Sequence, residues 1–210
     1  MNYKLIRSNR RTVSISVLQD NSVTVRCPLK MSESKVEQFV NEKKEWIDRV
    51  IKVNAKICGA NLPVLEFKEV LIKGTRVPLI ISDANAVTQS AVFVKSKSNI
   101  KRLYINYFTE ELRSAGFALS EELNIPASDF SVKAYKSRWG CCKRDGKIIL
   151  NYLLAMLPAE LLRYVIVHEL CHRIYFNHSK EFWNLVGRFE PHYKILRNKL
   201  KAFNYLTNLY

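Results

Sequence analysis

Apolar runs long enough to span a bilayer are missing from these 210 residues, and the opening segment Met1 to Arg7 lacks the apolar stretch of a secretory leader. A membrane span and an export signal are therefore not expected, and the default is a cytoplasmic location. Cysteine is sparse and odd in number. The five, Cys27, Cys58, Cys141, Cys142 and Cys171, are irregularly spaced, which argues against a disulfide framework and suits a reducing compartment. Internal repeats and low-complexity segments are absent, as is any basic run of five or six residues. Acidic residues are in short supply, 19 against 34 Lys plus Arg, leaving a net charge of +15. That excess suits an anionic partner such as a nucleotide or nucleic acid, and equally a solvated basic face, so charge alone does not choose. Hydrophobic content of 48% with 25% charged residues is ordinary for a globular chain that buries a real core.

Histidine is scarcer still. All 4 histidines fall between positions 168 and 192, three of them in the run His168-Glu169-Leu170-Cys171-His172 and, six positions on, His178. A helix turns about 100° per residue, so His168 and His172 end about 40° apart on one face and can share one ion. Glu169 projects beside that ion rather than onto it, where a general base takes a proton from water. The spacing matches that of the metzincin zinc proteases, with Tyr175 in place of their midway glycine. On an unbroken helix His178 would point elsewhere, so the helix is expected to end near Phe176-Asn177, with Asn177 as a left-handed hinge. Leu161, Val165, His168 and His172 share a stripe of a helix that is apolar nearly all round. Unpaired imidazoles buried there would cost about 1–3 kcal/mol each, whereas a metal satisfies them together. A purely structural zinc site does not need the acidic residue, and three protein ligands leave a fourth position open.

The alternation at 12–17 and 23–27, with Asp20-Asn21 between, reads as a half-buried hairpin. Ser34 and Glu37 form a capping box for a long amphipathic helix over about 33–57, ended by Gly59 and Pro63, with Trp46 packed at a core or edge. Short strands are expected at Val70 to Ile72, Val77 to Ile81, Ala91 to Val94 and Leu103 to Ile105, followed by a helix whose stripe runs Phe108, Leu112, Ala115, Leu119, Leu123. Phe130, Val132 and Ala134 then alternate with polar residues. Asp145-Gly146 makes a tight turn into a returning strand, Lys147 to Leu150, and Pro158 fits the first turn of the histidine helix.

Upstream of that helix lies Ser137-Arg138-Trp139-Gly140-Cys141-Cys142. The adjacent cysteines have no partner pair and read as buried thiols more readily than as ligands. Arg138 offers a planar fork to a substrate carboxylate or phosphate, or pairs with a structural carboxylate. Together with Asn151, Tyr164 to His172, Asn177-His178-Ser179, Phe182-Trp183 and Pro191, this segment resembles the YgjP-like metallopeptidase family, a group of zinc-dependent hydrolases, with a weaker likeness through Trp46-Ile47. Cys141 stands where that family usually has serine. The resemblance implies that His168, His172 and His178 bind zinc, that Glu169 is the catalytic acid/base, and that the C-terminal half is zincin-like. By the same analogy Lys147 to Asn151 would run along the cleft and pair with an extended peptide.

The expectation is an α+β chain: residues 1–105 a β-rich region with one long helix, residues 106–210 a zincin-like hydrolase region with the metal site on and just after a buried helix. Its function is expected to be zinc-dependent hydrolysis, foremost of peptides or proteins, with about one Zn²⁺ per chain and other divalent transition metals as substitutes. Arg138, Trp139, His192 and Tyr193 are candidate substrate residues, Tyr152 a further oxyanion donor, and Glu181 or Asn151 orienting partners of a ligand. A nucleotide phosphoanhydride hydrolase, a DNA-associated peptidase and a zinc-stabilised binding module without turnover are the rival readings.

Overall fold

The computed structural model describes residues 2–18, 21–61, 64 and 66–209. Asp20, Pro63 and the Cys58 side chain, all named above, lie outside what is described. The fold is mixed α+β, and the chain divides into two compact units, 1–62 and 63–210. The segment 106–210 lies inside the second unit, together with the strands that precede it.

The first unit holds β1 (Lys4–Ser8), β2 (Ser14–Val17) and β3 (Val23–Pro28), in the order β1-β3-β2. The expected hairpin is present: β2 runs antiparallel to β3, and Asn21 takes φ 64 in the connection. β1 was not foreseen and pairs parallel with β3. The single helix expected over about 33–57 is two, α1 (Glu33–Glu42) and α2 (Lys44–Ala60), interrupted at Lys43. There the amide of Lys43 bonds the carbonyl of Val40, three residues back, which tightens and ends the first helix. The apolar spacing carries on across the break and so conceals it. Ser32, not Ser34, is the N-cap, and its side chain makes no capping bond. Val23, Val25 and Cys27 of β3 form the core with Val36, Val40 and Ile47. Trp46 is 43% exposed while its neighbour Ile47 is fully buried, so Ile47 anchors α2.

In the second unit β4 (Glu69–Ile72), β5 (Thr75–Ile81), β6 (Ala86–Val87) and β7 (Val92–Val94) make a sheet ordered β4-β5-β7-β6. Leu103 to Ile105, expected as a strand, is helical and belongs to α3 (Ile100–Glu122). The period of four in the buried Ile100, Tyr104, Phe108 and Leu112 begins well before Phe108, and a three-residue window is too short to reveal it. Gly116 lets α3 approach its neighbour: a Cβ there would lie 2.4–2.7 Å from three ring atoms of the fully buried Phe130. Gly116→Ala is therefore expected to lower Tm although alanine favours helix by about 1 kcal/mol, because overpacking costs about 1–3 kcal/mol and the ring has nowhere to go. An unchanged or raised Tm in a thermal melt would contradict this packing.

A second sheet contains β8 (Asp129–Lys133), β9 (Gly140–Cys142) and β10 (Lys147–Asn151), ordered β8-β10-β9. Asp145-Gly146 does form a tight turn, with Gly146 at φ 91, but the strand it returns from is β9; β8 lies parallel to β10. A three-residue strand inside an unusual motif leaves no alternation to read. β10 leads into a 3-10 turn, Tyr152–Met156, and then into α4 (Ala159–Cys171), α5 (Lys180–Phe189), α6 (Tyr193–Lys201) and α7 (Leu206–Leu209). The β4–β5 turn, with Lys73 at φ 49 and Gly74 at φ 85, donates its amides to the carbonyls of Ala155 and Met156, fixing the entry to α4. α4 is buried nearly all round, as its composition implied. No helix among the described residues is long and apolar enough to cross a membrane.

Candidate metal centre

α4 carries His168 and Glu169 in its last turns and ends at Cys171, with His172 as its C-cap. The chain turns earlier than the sequence suggested, and not through Asn177, which has no positive φ. Amides of Arg173 and Ile174 bond back three residues to Leu170 and Cys171, and the His172 ring Nδ1 lies 2.9 Å from the Tyr175 carbonyl. These bonds satisfy the helix end without a left-handed residue. Ser179 then caps α5, its hydroxyl accepting from the Phe182 amide, so His178 sits just ahead of a helix start.

The result is convergence. Ring centroids of His168 and His172 are 4.9 Å apart, and His178 lies 5.1 and 4.7 Å from them. One ligand nitrogen from each falls within 4.8 Å of the others, and Nε2 of His168 stands 3.2 Å from Nε2 of His178. Two nitrogens bound tetrahedrally at about 2.0–2.1 Å would be separated by about 3.4 Å. With Nδ1 of His172 donating to the Tyr175 carbonyl, its Nε2 is the free lone pair, the arrangement expected of a ligand. Nδ1 of His168 is buried and without a hydrogen-bond partner. Burial, then the neighbouring His172 and His178, then Arg197, push the His168 pKa down to about 3, which holds the ring in the neutral form that coordinates. Burial lowers that of His172 as well. Three imidazoles whose ring nitrogens converge fit a divalent transition metal.

Glu169 is 7% exposed and lines the same cleft. Burial raises its pKa to about 7, while the Cys142 backbone amide and the charge of Arg138 pull the other way. Gly140 makes room for it. A Cβ at Gly140 would lie 2.7, 2.8 and 2.9 Å from Cγ, Oε1 and Cδ of Glu169, so β9 and α4 approach this closely only with glycine there.

The cleft, about 790 Å³, is bounded by the segment Ser137 to Cys142, the end of α4, Phe176, Trp183 and the face of α6. Arg138 and Trp139 line it, as do Cys141 and Cys142, which are free thiols. Tyr193 and His192 are not among its lining residues. Tyr193 stacks on Trp183 at 5.3 Å, and Trp183 in turn stacks on His178 at 5.6 Å, so Tyr193 reaches His178 only through the indole. His192 is exposed at the N-cap of α6. Tyr152 is buried away from the cleft. Asn151 does not orient a histidine; its Nδ2 donates to the carbonyls of Tyr135 and Arg138 and its Oδ1 accepts from the Leu153 amide, so it holds the loop bearing Arg138. Glu181 pairs with the Ser179 hydroxyl at the start of α5. β10, expected to dock a peptide, is paired on both sides; the open edge beside the histidines is that of β9.

Sequence reasoning missed Arg197, Lys201 and Asn204, which also line the cleft. The spacing of four is the available signal for Arg197 and Lys201, which share one face of α6, and Asn204 follows in the turn after it. Asn204 accepts from the Trp139 indole at 3.1 Å, tying that face to the entrance of β9.

A family model described as YgjP-like, metallopeptidase domain, matches residues 11–203. The chain belongs to that family. No curated protein matches this YgjP-like chain. Among solved structures, the crystal structure of the metallopeptidase zymogen of Pyrococcus abyssi abylysin is similar at 20% identity and a TM-score of 0.38, over 41% of this chain and 89% of that one.

Proposed function

We propose that this YgjP-like chain is a zinc-dependent peptidase in which His168, His172 and His178 hold the ion and Glu169 is the general base. The observation that carries the reading is the convergence of three imidazoles beside a buried carboxyl. Zinc bound by three imidazoles supplies Lewis acidity to a water and to a substrate carbonyl. Glu169, with its pKa lifted to about 7, takes the proton from the attacking water and returns it to the leaving nitrogen. The Cys142 amide and the space at Gly140 fix where that carboxyl stands. Burial of α4 and the aromatic wall of Phe182 and Trp183 around the imidazoles limit water on the ligand side. Arg138, exposed in the cleft, is the candidate donor to the oxyanion. The outward edge of β9 supports an extended peptide as the occupant.

Metal removal tests this reading. Purified protein is expected to retain about one divalent transition-metal ion per chain, and His168→Ala protein to lose it. Cleavage of a mixed peptide library should stop on chelation and return with added zinc. No retained ion, or no cleavage with any divalent transition metal, would sink the proposal.

A further inference from the structure

Two arginines outside the cleft, Arg163 and Arg113, are held by carboxylates. Arg163 is bound by Glu122 and Glu190, each at 2.7 Å, and Arg113 pairs with Asp129 at 3.1 Å. The cleft is different. Arg138, Arg197 and Lys201 line it, all exposed, and the sole carboxylate among its lining residues is Glu169. Among the described residues no carboxylate forms an ion pair with Arg138, Arg197 or Lys201. Among the described residues, Lys201 hydrogen-bonds only the amide oxygen of Asn198, at 3.2 Å.

Arg197 is also held in place. Its guanidinium lies 4.9 Å over the Trp183 ring, and that ring stacks on His178. A guanidinium held over an indole face leaves N–H donors free for a planar anion. Gathering three cations beside a ligand set for a further cation is electrostatically unfavourable unless an anion joins them.

We propose that Arg197 and Lys201 bind a carboxylate of the peptide substrate, either its C-terminal carboxylate or an Asp or Glu side chain, making the enzyme selective for peptides that present that carboxylate. This rests on the peptidase reading above and specifies its substrate class. A nucleoside triphosphate is the rival anion. It arrives with Mg²⁺, which takes carboxylate oxygens, and the cleft offers none beyond the general base. The open edge of β9 favours an extended chain instead.

The test uses zinc-loaded protein and matched peptides that differ only in a free or amidated C-terminus, or in Glu against Gln at each position. Binding of the same peptides to Glu169→Gln protein, read by fluorescence anisotropy, supplies a measurement independent of turnover. The carboxylate forms are expected to bind and react about tenfold better, chiefly through KM, with the advantage shrinking in high salt. Arg197→Gln and Lys201→Gln should each erode that preference, and Arg197→Lys should restore part of it. The arm that responds tells the terminal carboxylate from the side chain. Equal binding of carboxylate and carboxamide peptides overturns the proposal, as does a preference that survives in both Gln variants. Displacement of carboxylate peptides by a magnesium–nucleoside triphosphate that is itself hydrolysed also overturns it. Charge-selective binding with no peptide cleaved would leave the carboxylate site standing and remove the peptidase reading.

Discussion

Glu169→Gln is expected to cut kcat by roughly 10²- to 10⁴-fold while metal content and Tm stay close to those of the parent protein. The amide has the shape of the carboxyl and fills the same buried space, so packing between α4 and β9 is preserved. What disappears is a group that gains and loses a proton near neutrality, where burial has set its pKa. Metal content separates the roles: the three imidazoles converge without Glu169, so an ion lost with this substitution would make Glu169 a ligand. A variant that keeps more than about a tenth of kcat would mean that another group carries the proton.

Gly140→Ala is the second large effect, about 10²-fold in kcat, and it acts on the same carboxyl from the other side. The added methyl would collide with Cγ and Cδ as well as Oε1 of Glu169, so a rotation of the carboxyl end alone cannot relieve it. The side chain must leave its place beside the Cys142 amide. Metal content should be untouched, since the three atoms nearest that methyl all belong to Glu169 and none to a histidine. The double variant decides the mechanism: combined with Glu169→Gln, Gly140→Ala should cost little more than Glu169→Gln alone. Fully additive losses would show that the glycine matters for some other reason.

The cluster of His168 and His172 with its neighbouring carboxyl was legible because helix geometry converts a spacing of four residues into a shared face. The route by which His178 joins them was not. The turn uses the His172 ring against the Tyr175 carbonyl and two three-residue bonds, and none of these leaves the glycine or asparagine mark that reversals usually carry. The cationic wall was hidden for another reason. Arg197 and Lys201 sit in a short, polar helix that reads as solvated surface, and only folding brings it to α4. Local patterns supplied β4, β5 and β7, which stand out as short apolar segments set off by turn residues such as Gly74 and Asp83. They misassigned Leu103 to Ile105 and the partner of the Asp145-Gly146 turn, where the deciding contacts lie along a longer helix or across a sheet.

The brevity of β9 bears on self-association. An exposed sheet edge is a template on which a second copy of the chain can add a strand, and long flat edges seed aggregates. This edge is three residues long, and the amide of Cys142 is already engaged by the Glu169 carboxyl. So short a run holds an added strand only weakly through its backbone, so a peptide needs the cleft's side chains as further anchors and a copy of the chain pairing through this edge alone gains too little to stay. The cleft can thus leave a strand edge uncovered with little risk that the protein polymerises through it.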